Sequence, residues 1–278
     1  MSQTLLLYSA DTRWKSLRCR LAGVVLIYLI HSSAFADTSQ HHLDLLLSGS
    51  YFDYREYSNS KRELNRESGP LPGLGAEWES NTSRWQFNAT LEYQKNRVKY
   101  DGELQNGLSY QTNTEESLRH ASLSIRPITT SFIVPKVGLG HWYWERQILP
   151  GSIRTINGTE PVIGLLEKYQ WPYLEIGLDL HLSGIFDTLP NKRRHLIALS
   201  WTNPRKAEME VFLPNRRITV NPVSEPGYYL AYSIQMEAIK LVFYKRQWHL
   251  DRSPTINGVL EPENRTSITG LKLQLRLF

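Results

Sequence analysis

The stretch Leu271-Lys272-Leu273-Gln274-Leu275-Arg276-Leu277-Phe278 alternates strictly between apolar and polar side chains. Successive side chains of a strand point to opposite faces, so four leucines fall on one face and Lys272, Gln274 and Arg276 on the other. The period is that of a two-faced β-strand and not of an amphipathic helix. The same period recurs upstream. Trp85, Phe87, Ala89, Leu91 and Tyr93 interleave with Gln86, Asn88, Thr90, Glu92 and Gln94, and residues 174–183 and 228–237 repeat the pattern. Weaker versions at 43–47, 74–78, 120–126, 136–146, 194–213 and 239–250 bring the number of expected strands to ten.

The amino terminus reads differently. Arg13, Lys15, Arg18 and Arg20 precede an apolar run over residues 21–30, and Ala34-Phe35-Ala36 supplies an A-x-A cleavage pattern. We expect residues 1–36 to be a signal peptide and the mature chain to start at Asp37. Some ten apolar residues are too few to cross roughly 30 Å of hydrocarbon. The leader takes four basic residues and one acid with it, leaving 28 basic against 26 acidic side chains and a net charge of +2 in place of +5. The mature chain therefore lacks the concentrated basic character of a nucleic-acid binder. Cys19, the single cysteine, also leaves, which excludes thiol nucleophiles, disulfides and cysteine–metal sites.

The mean hydropathy of −0.40 does not oppose a membrane location, because lipid-facing and lumen-facing residues cancel along a barrel strand. Long polar connections near 58–70, 101–107, 148–160, 214–226 and 252–266 alternate with short turns near 81–83, 127–131, 184–191 and 237–238. Residues 37–278 are thus expected to form an all-β, antiparallel, up-and-down transmembrane β-barrel of about ten strands, with eight or twelve also compatible. A chain closing on a two-faced strand with an aromatic terminus fits the Gram-negative outer membrane, with long loops outside and both ends in the periplasm. The competing arrangement, a periplasmic sandwich, needs a second sheet to cover every apolar face.

Three details stay open at this level. Asn203-Pro204 interrupts the seventh strand as either a bulge or a break, since proline cannot donate to the ladder. With the leucines facing lipid, Phe278 falls on the lumen side, through either a bulge near Gly270 or fraying of the end. The aromatic groups Tyr51, Tyr54 and Tyr57; Trp142, Tyr143 and Trp144; Tyr169, Trp171 and Tyr173; Tyr228 and Tyr229; and Trp248 lie beside the expected loops. Interfacial girdles formed by their outward-facing members are the favoured reading, with ordinary core packing as the alternative.

Four segments carry a resemblance: 48–57 (SGSYFDYREY), 68–74 (SGPLPGL), 169–178 (YQWPYLEIGL), and the tail from Trp248 through Glu261-Pro262-Glu263-Asn264-Arg265-Thr266. They resemble a group of small outer-membrane β-barrel proteins of proteobacteria with F-D-Y-x-E, L-P-G and E-P-x-x-R-T motifs. The resemblance spans nearly all of the mature chain. Stretch 244–248 is one residue longer than the group's pattern, and the ending is one residue out of phase. The resemblance implies fold and location but no established activity.

Inward candidates are Glu77, Glu92, Lys136, Glu175, Asp179 and His181, expected as a salt-bridged lumen network because buried charges must pair or stay hydrated. The alternative is a small polar pore that opens when the network moves. No catalytic residue is assigned. His249 and Asp251, two apart at the outer rim, with Asp53 at the same height, are the candidates for a rim-site hydrolase, either an omptin-like protease or a lipid-modifying enzyme. A His held by an Asp can activate water. That likeness is one of architecture. Lys61, Arg62 and Arg66 are candidate contacts to lipopolysaccharide phosphates, which arginine can grip with two parallel hydrogen bonds. No P-loop, GxGxxG or HExxH pattern is present. We expect no cofactor and no metal site. The expected partners are outer-membrane lipid, lipopolysaccharide and the barrel-assembly machinery; the chain is expected to be a monomer.

Overall fold

In the computed structural model the described residues are 40–104, 107–155, 158–182 and 194–278. The leader and the turn expected at 184–191 lie outside them. Fifteen strands and no helix account for the described residues: β1 (Gln40–Tyr57), β2 (Glu63–Pro70), β3 (Gly73–Asn81), β4 (Trp85–Glu103), β5 (Ser109–Pro127), β6 (Ile133–Ile148), β7 (Gly151–Thr155), β8 (Gly158–Val162), β9 (Leu165–His181), β10 (Arg194–Pro204), β11 (Glu208–Leu213), β12 (Arg216–Val220), β13 (Val223–Met236), β14 (Ile239–Asp251) and β15 (Glu263–Arg276). Strands β2 and β3, β10 and β11, and β12 and β13 follow one another as single staves. The result is a closed antiparallel barrel of ten staves, sealed where β15 pairs with β1. The pair β7–β8 forms a separate hairpin.

The register fixes the shape. From Ser48 in one direction the partners are Gly73, Gln94, Leu118, Trp144 and Tyr169. In the other they are Lys272, Val242, Ser233, Leu196 and His181. The two routes meet β9 twelve residues apart, a stagger that tilts the staves as closure requires. Residues level with each other across the lumen are therefore not neighbours in register.

Outward side chains form an apolar belt that includes Leu45, Leu47, Leu74, Leu91, Leu123, Leu139, Ile176, Leu230, Phe243 and Leu271, all exposed. We call the end carrying Gln40 and Phe278 the lower end. Above the belt the outward faces turn polar, with Asp53 and Arg55 on β1, Lys95 and Arg97 on β4, Glu145 on β6 and Lys168 and Gln170 on β9. Strands β1, β4, β5, β6 and β9 run 16 to 19 residues. At ~3.3 Å per residue that is roughly 50–60 Å, about twice the height of an apolar band. Much of what loop composition marks as outer loop is thus strand, at 63–70, 216–220 and from Glu263 onward. Polar residues there signal water on the outer face, not an absence of pairing.

Two prolines break staves in different ways. At Leu71-Pro72 the register to β1 and β4 is the same on both sides, and the amide of Leu71 donates to the Ser50 carbonyl at 2.7 Å. At Pro204 strand β10 ends opposite Tyr173, and β11 resumes with Glu208 opposite Gln170. One extra residue is absorbed there, with Lys206 at φ 47°, so the bulge and the break occur together. The terminal strand runs without a slip through Gly270. Lys272 and Gln274 are buried inward, and the Phe278 side chain lies 71% exposed beyond the last strand. Its carbonyl still accepts from the Leu43 amide at 3.1 Å.

Candidate functional site

The lower lumen is a chamber of about 160 Å³, and Glu77, Glu92, Lys136, Glu175 and Asp179 all line it. His181 lies two residues below Asp179 on the same face of β9, outside the lining. Each acid meets a partner from another stave. Lys136 pairs with Glu175 at 2.7 Å, Arg126 with Asp179, and Gln274 donates to Glu77 at 3.2 Å. Glu92 collects Lys272, Arg246 at 3.5 Å and His120 Nδ1 at 3.1 Å; His120 Nε2 meets the Tyr173 hydroxyl at 2.6 Å. His120, Arg126 and Arg246 carry no signal in the sequence beyond the inward parity of their strands, and Lys272 stands out there only as part of the polar face of the terminal strand.

Directly above lies an aromatic layer. Trp142 stacks on Trp248 at 5.4 Å and on Trp171 at 6.3 Å, and Trp144 stacks on Tyr169 at 4.5 Å. Phe52 and Tyr54 meet Trp144 edge-on. All ten staves contribute to this one buried cluster, through residues such as Leu71, Val98, Leu118, Met209, Val220 and Ile268. Gly140 opposite Tyr173 leaves no room for a Cβ, which admits the phenol ring to the lumen. From below, the Arg246 guanidinium covers Trp142 at 4.8 Å and Tyr229 at 5.1 Å.

This layer narrows the girdle expectation to a minority of the quoted aromatics. Tyr54, Trp142, Trp144, Tyr169, Trp171, Tyr173 and Trp248 are buried inside; of the quoted groups, Tyr51, Tyr57, Tyr143 and Tyr228 take the outward parity. The reason lies in the parity itself. Exposed Val137 and Leu139 put odd positions of β6 outward, so Trp142 and Trp144 point inward.

Above the aromatics sit five carboxylates and one guanidinium: Glu56, Glu67, Glu116, Glu167 and Glu261 with Arg146, all buried. The strand segments that carry them have polar outward faces, so the cluster lies above the apolar belt. Arg146 reaches Glu56 at 3.0 Å and Glu167 at 2.5 Å, donates from Nε to Glu67 at 2.7 Å, and lies over the Tyr54 ring at 4.7 Å. Tyr54 donates to Glu56, and Tyr169 donates at 3.1 Å to Glu167 and to Glu261. Asn264 donates to Glu261 and Trp144 Nε1 to Glu116. Glu261 arrives on the β14–β15 connection, folded into the mouth where the Ser253 amide donates to the Glu261 carbonyl at 3.0 Å and the Glu261 amide donates to Ser253 Oγ at 2.8 Å.

One guanidinium cannot neutralise five buried carboxylates, so the cluster holds protons. Burial, reinforced by Glu67, pushes the Glu116 carboxyl well above the usual range. Burial, reinforced by Glu56 and Glu167, does the same to Glu261, and burial also raises Glu167. Glu116 Oε1 and Glu67 Oε2 are buried without other partners. A proton on Glu116 makes it the donor and Glu67 the acceptor, which satisfies both oxygens. The four resembling segments converge here: Tyr54 and Glu56, Leu71, Tyr169 and Trp171, and Trp248, Glu261 and Asn264 all meet in the upper lumen.

The rim candidates lie elsewhere. On β14 the inward positions are Tyr244, Trp248 and Leu250, so His249 and Asp251 take the outward face. His249 contacts Glu225 through Nδ1 at 2.5 Å and Glu263 through Nε2 at 3.3 Å. Asp251 accepts from the Arg252 amide. Asp53, also outward, holds Arg55 at 2.7 Å and Arg66 at 2.5 Å. The three are not brought into one constellation. Lys61 pairs with Glu263 and Arg62 with Glu103, so the three basic loop candidates sit on the upper outer wall, each beside a carboxylate. Among the described residues no group of side chains has metal-binding geometry.

No protein-family model matches the chain, and no curated protein matches it. Solved structures do. The outer-membrane protease OmpT from Escherichia coli aligns over 87% of this chain and 97% of its own, with a TM-score of 0.53 at 11% identity. The translocator domain of the autotransporter NalP from Neisseria meningitidis aligns over 94% and 97%, with a TM-score of 0.42 at 8% identity. The Pseudomonas putida toluene transporter TodX aligns over 88% and 90%, with a TM-score of 0.36 at 10% identity. At such identities a likeness speaks for fold alone, and the protein has the fold of outer-membrane β-barrels, closed here with ten antiparallel staves.

Proposed function

We propose that the protein is a monomeric barrel of the Gram-negative outer membrane whose lumen is sealed, serving a structural or adhesive role at its upper, extracellular end. One observation carries this reading: all ten staves feed a single hydrophobic cluster with stacked aromatics at its centre, which spans the lumen with paired charges below it and the carboxylate cluster above. A standing pore needs a continuous wet path, and stacked indoles at 5.4 to 6.3 Å leave none between them. The apolar belt supports membrane insertion, and the polar strand extensions support surface display. Lys61, Arg62 and Arg66, each beside a carboxylate on the upper wall, are the candidate contacts to lipopolysaccharide phosphates in this reading. Planar-bilayer recording tests the seal. The wild-type protein gives no conductance steps, whereas Trp142→Ala combined with Trp248→Ala opens discrete channels. Steps of the same size from both proteins would overturn the sealed reading.

A further inference from the structure

On the outer wall, Leu74, Tyr93, Arg119 and Tyr143 form one cross-strand row at the upper edge of the apolar belt. The row beneath, Ala76, Leu91, Ala121 and His141, has alanines where its neighbours carry large side chains. The result is a shallow, open, lipid-facing hollow of about 580 Å³. Arg119 is exposed above it and lies 5.2 Å from the Tyr143 ring centre and 5.9 Å from that of Tyr93. Outward Arg55, Arg66, Arg97 and Arg265 each hold a carboxylate within 4 Å. Arg119 holds none among the described residues.

A guanidinium set between two phenol rings at the edge of a hydrocarbon belt is oriented but not neutralised. Its fork matches a phosphate monoester, and the hollow directly below accepts an alkyl chain. Gln40 and Phe278, the first and last described residues, lie at the opposite end of an even-stranded barrel, and this edge is taken to face the outer leaflet. In a Gram-negative outer membrane that leaflet is built of phosphorylated, acylated glucosamine lipid. We propose that Arg119 and the hollow beneath it form a specific site for one lipid A molecule, with phosphate on Arg119 and an acyl chain against Ala76, Leu91 and Ala121. The site rests on the outer-membrane reading above and is distinct from Lys61, Arg62 and Arg66.

The test uses the full mature barrel in detergent and native mass spectrometry, with hexa-acylated bisphosphorylated lipid A as probe. Dephosphorylated lipid A and phosphatidylglycerol serve as competitors of known chemistry. The wild-type protein retains one lipid A. Arg119→Gln retains roughly tenfold less, as expected for loss of a charge-assisted contact, and Arg119→Lys keeps part of the binding. Ala76→Trp obstructs the floor of the hollow and weakens lipid retention with Arg119 intact. Equal retention by Arg119→Gln, or equal retention of either competitor, overturns the site. Heat-modifiable migration and liposome insertion are read in parallel for every variant. A wild-type protein that inserts but retains no lipid A sinks the site alone, whereas one that fails to insert sinks the outer-membrane reading as well.

Discussion

The lower and upper lumen bury charge on the same ten staves by opposite means. Below the aromatic layer, carboxylates and cations are matched across strands: Lys136 with Glu175, Arg126 with Asp179, and Glu92 with Lys272 and Arg246. Above it, five carboxylates gather around the single cation Arg146, which pairs with Glu56, Glu67 and Glu167, and burial raises the carboxyls of Glu116, Glu167 and Glu261 toward their protonated forms. A matched pair stays satisfied over a wide pH range. A proton-balanced cluster does not, so the two halves of one lumen must respond differently to the same perturbation.

The harshest way to break the comparison is Arg146→Met, which leaves five buried acids with no cation. Removing one partner of a buried ion pair costs about 3–5 kcal/mol, and here several acids lose theirs together. Urea titration of the refolded barrel, read by heat-modifiable migration, should show the largest loss of any single substitution. Next comes a contrast of sign. Glu175→Gln strands Lys136 and should destabilise by about 1–3 kcal/mol, whereas Glu261→Gln removes an acid already crowded by Glu56 and Glu167. The latter should be neutral at pH 6 and stabilising at alkaline pH. Destabilisation by both substitutions at pH 9 would erase the distinction.

The pH dependence follows from the raised carboxyls of Glu116 and Glu261. Below the ordinary carboxylate range, folded and unfolded chains are both protonated, and the contribution to stability is fully present. As pH rises, the unfolded chain releases its protons first, and stability is lost as pH climbs through the raised folded values. Each unit of upward shift corresponds to about 1.4 kcal/mol per group. Denaturation midpoints should therefore fall on the alkaline side, and the fall should shrink in a Glu116→Gln, Glu261→Gln double variant. The smallest effect is expected outside the barrel wall. His249→Ala with Asp251→Ala should move stability by no more than about 0.5 kcal/mol. The same variant tests a rim-site hydrolase, because any peptide cleavage by the wild-type protein that disappears with these two side chains would establish one.

Parity was legible in the sequence and height was not. The alternation in Trp85–Tyr93 and in Leu271–Leu277 gives the faces of β4 and β15, and the spacing of such segments gives ten staves. It does not say which inward residues share a level. That depends on the twelve-residue stagger, which sets Arg146 of β6 beside Glu67 of β2 and brings Glu261 from the last connection to Tyr169 of β9. The aromatic groups were misplaced for a related reason. Closeness to loop-like composition suggested an interface, but that composition belonged to strands rising above the belt, where inward aromatics still pack in a core. Tyr143 beside Trp142 and Trp144 carried the warning, since three consecutive aromatics cannot share a face.

The loop-borne Glu261 has a kinetic consequence. The cluster draws its members from β1, β2, β5, β6, β9 and the connection before β15, so it cannot exist until β15 has found β1. Its excess carboxyls are ordinary, ionised groups in the open chain and acquire protons only as the seam shuts. Closure is thus a proton-consuming step, and the rate at which the last hairpin docks should slow with rising pH even where the earlier strands pair unhindered.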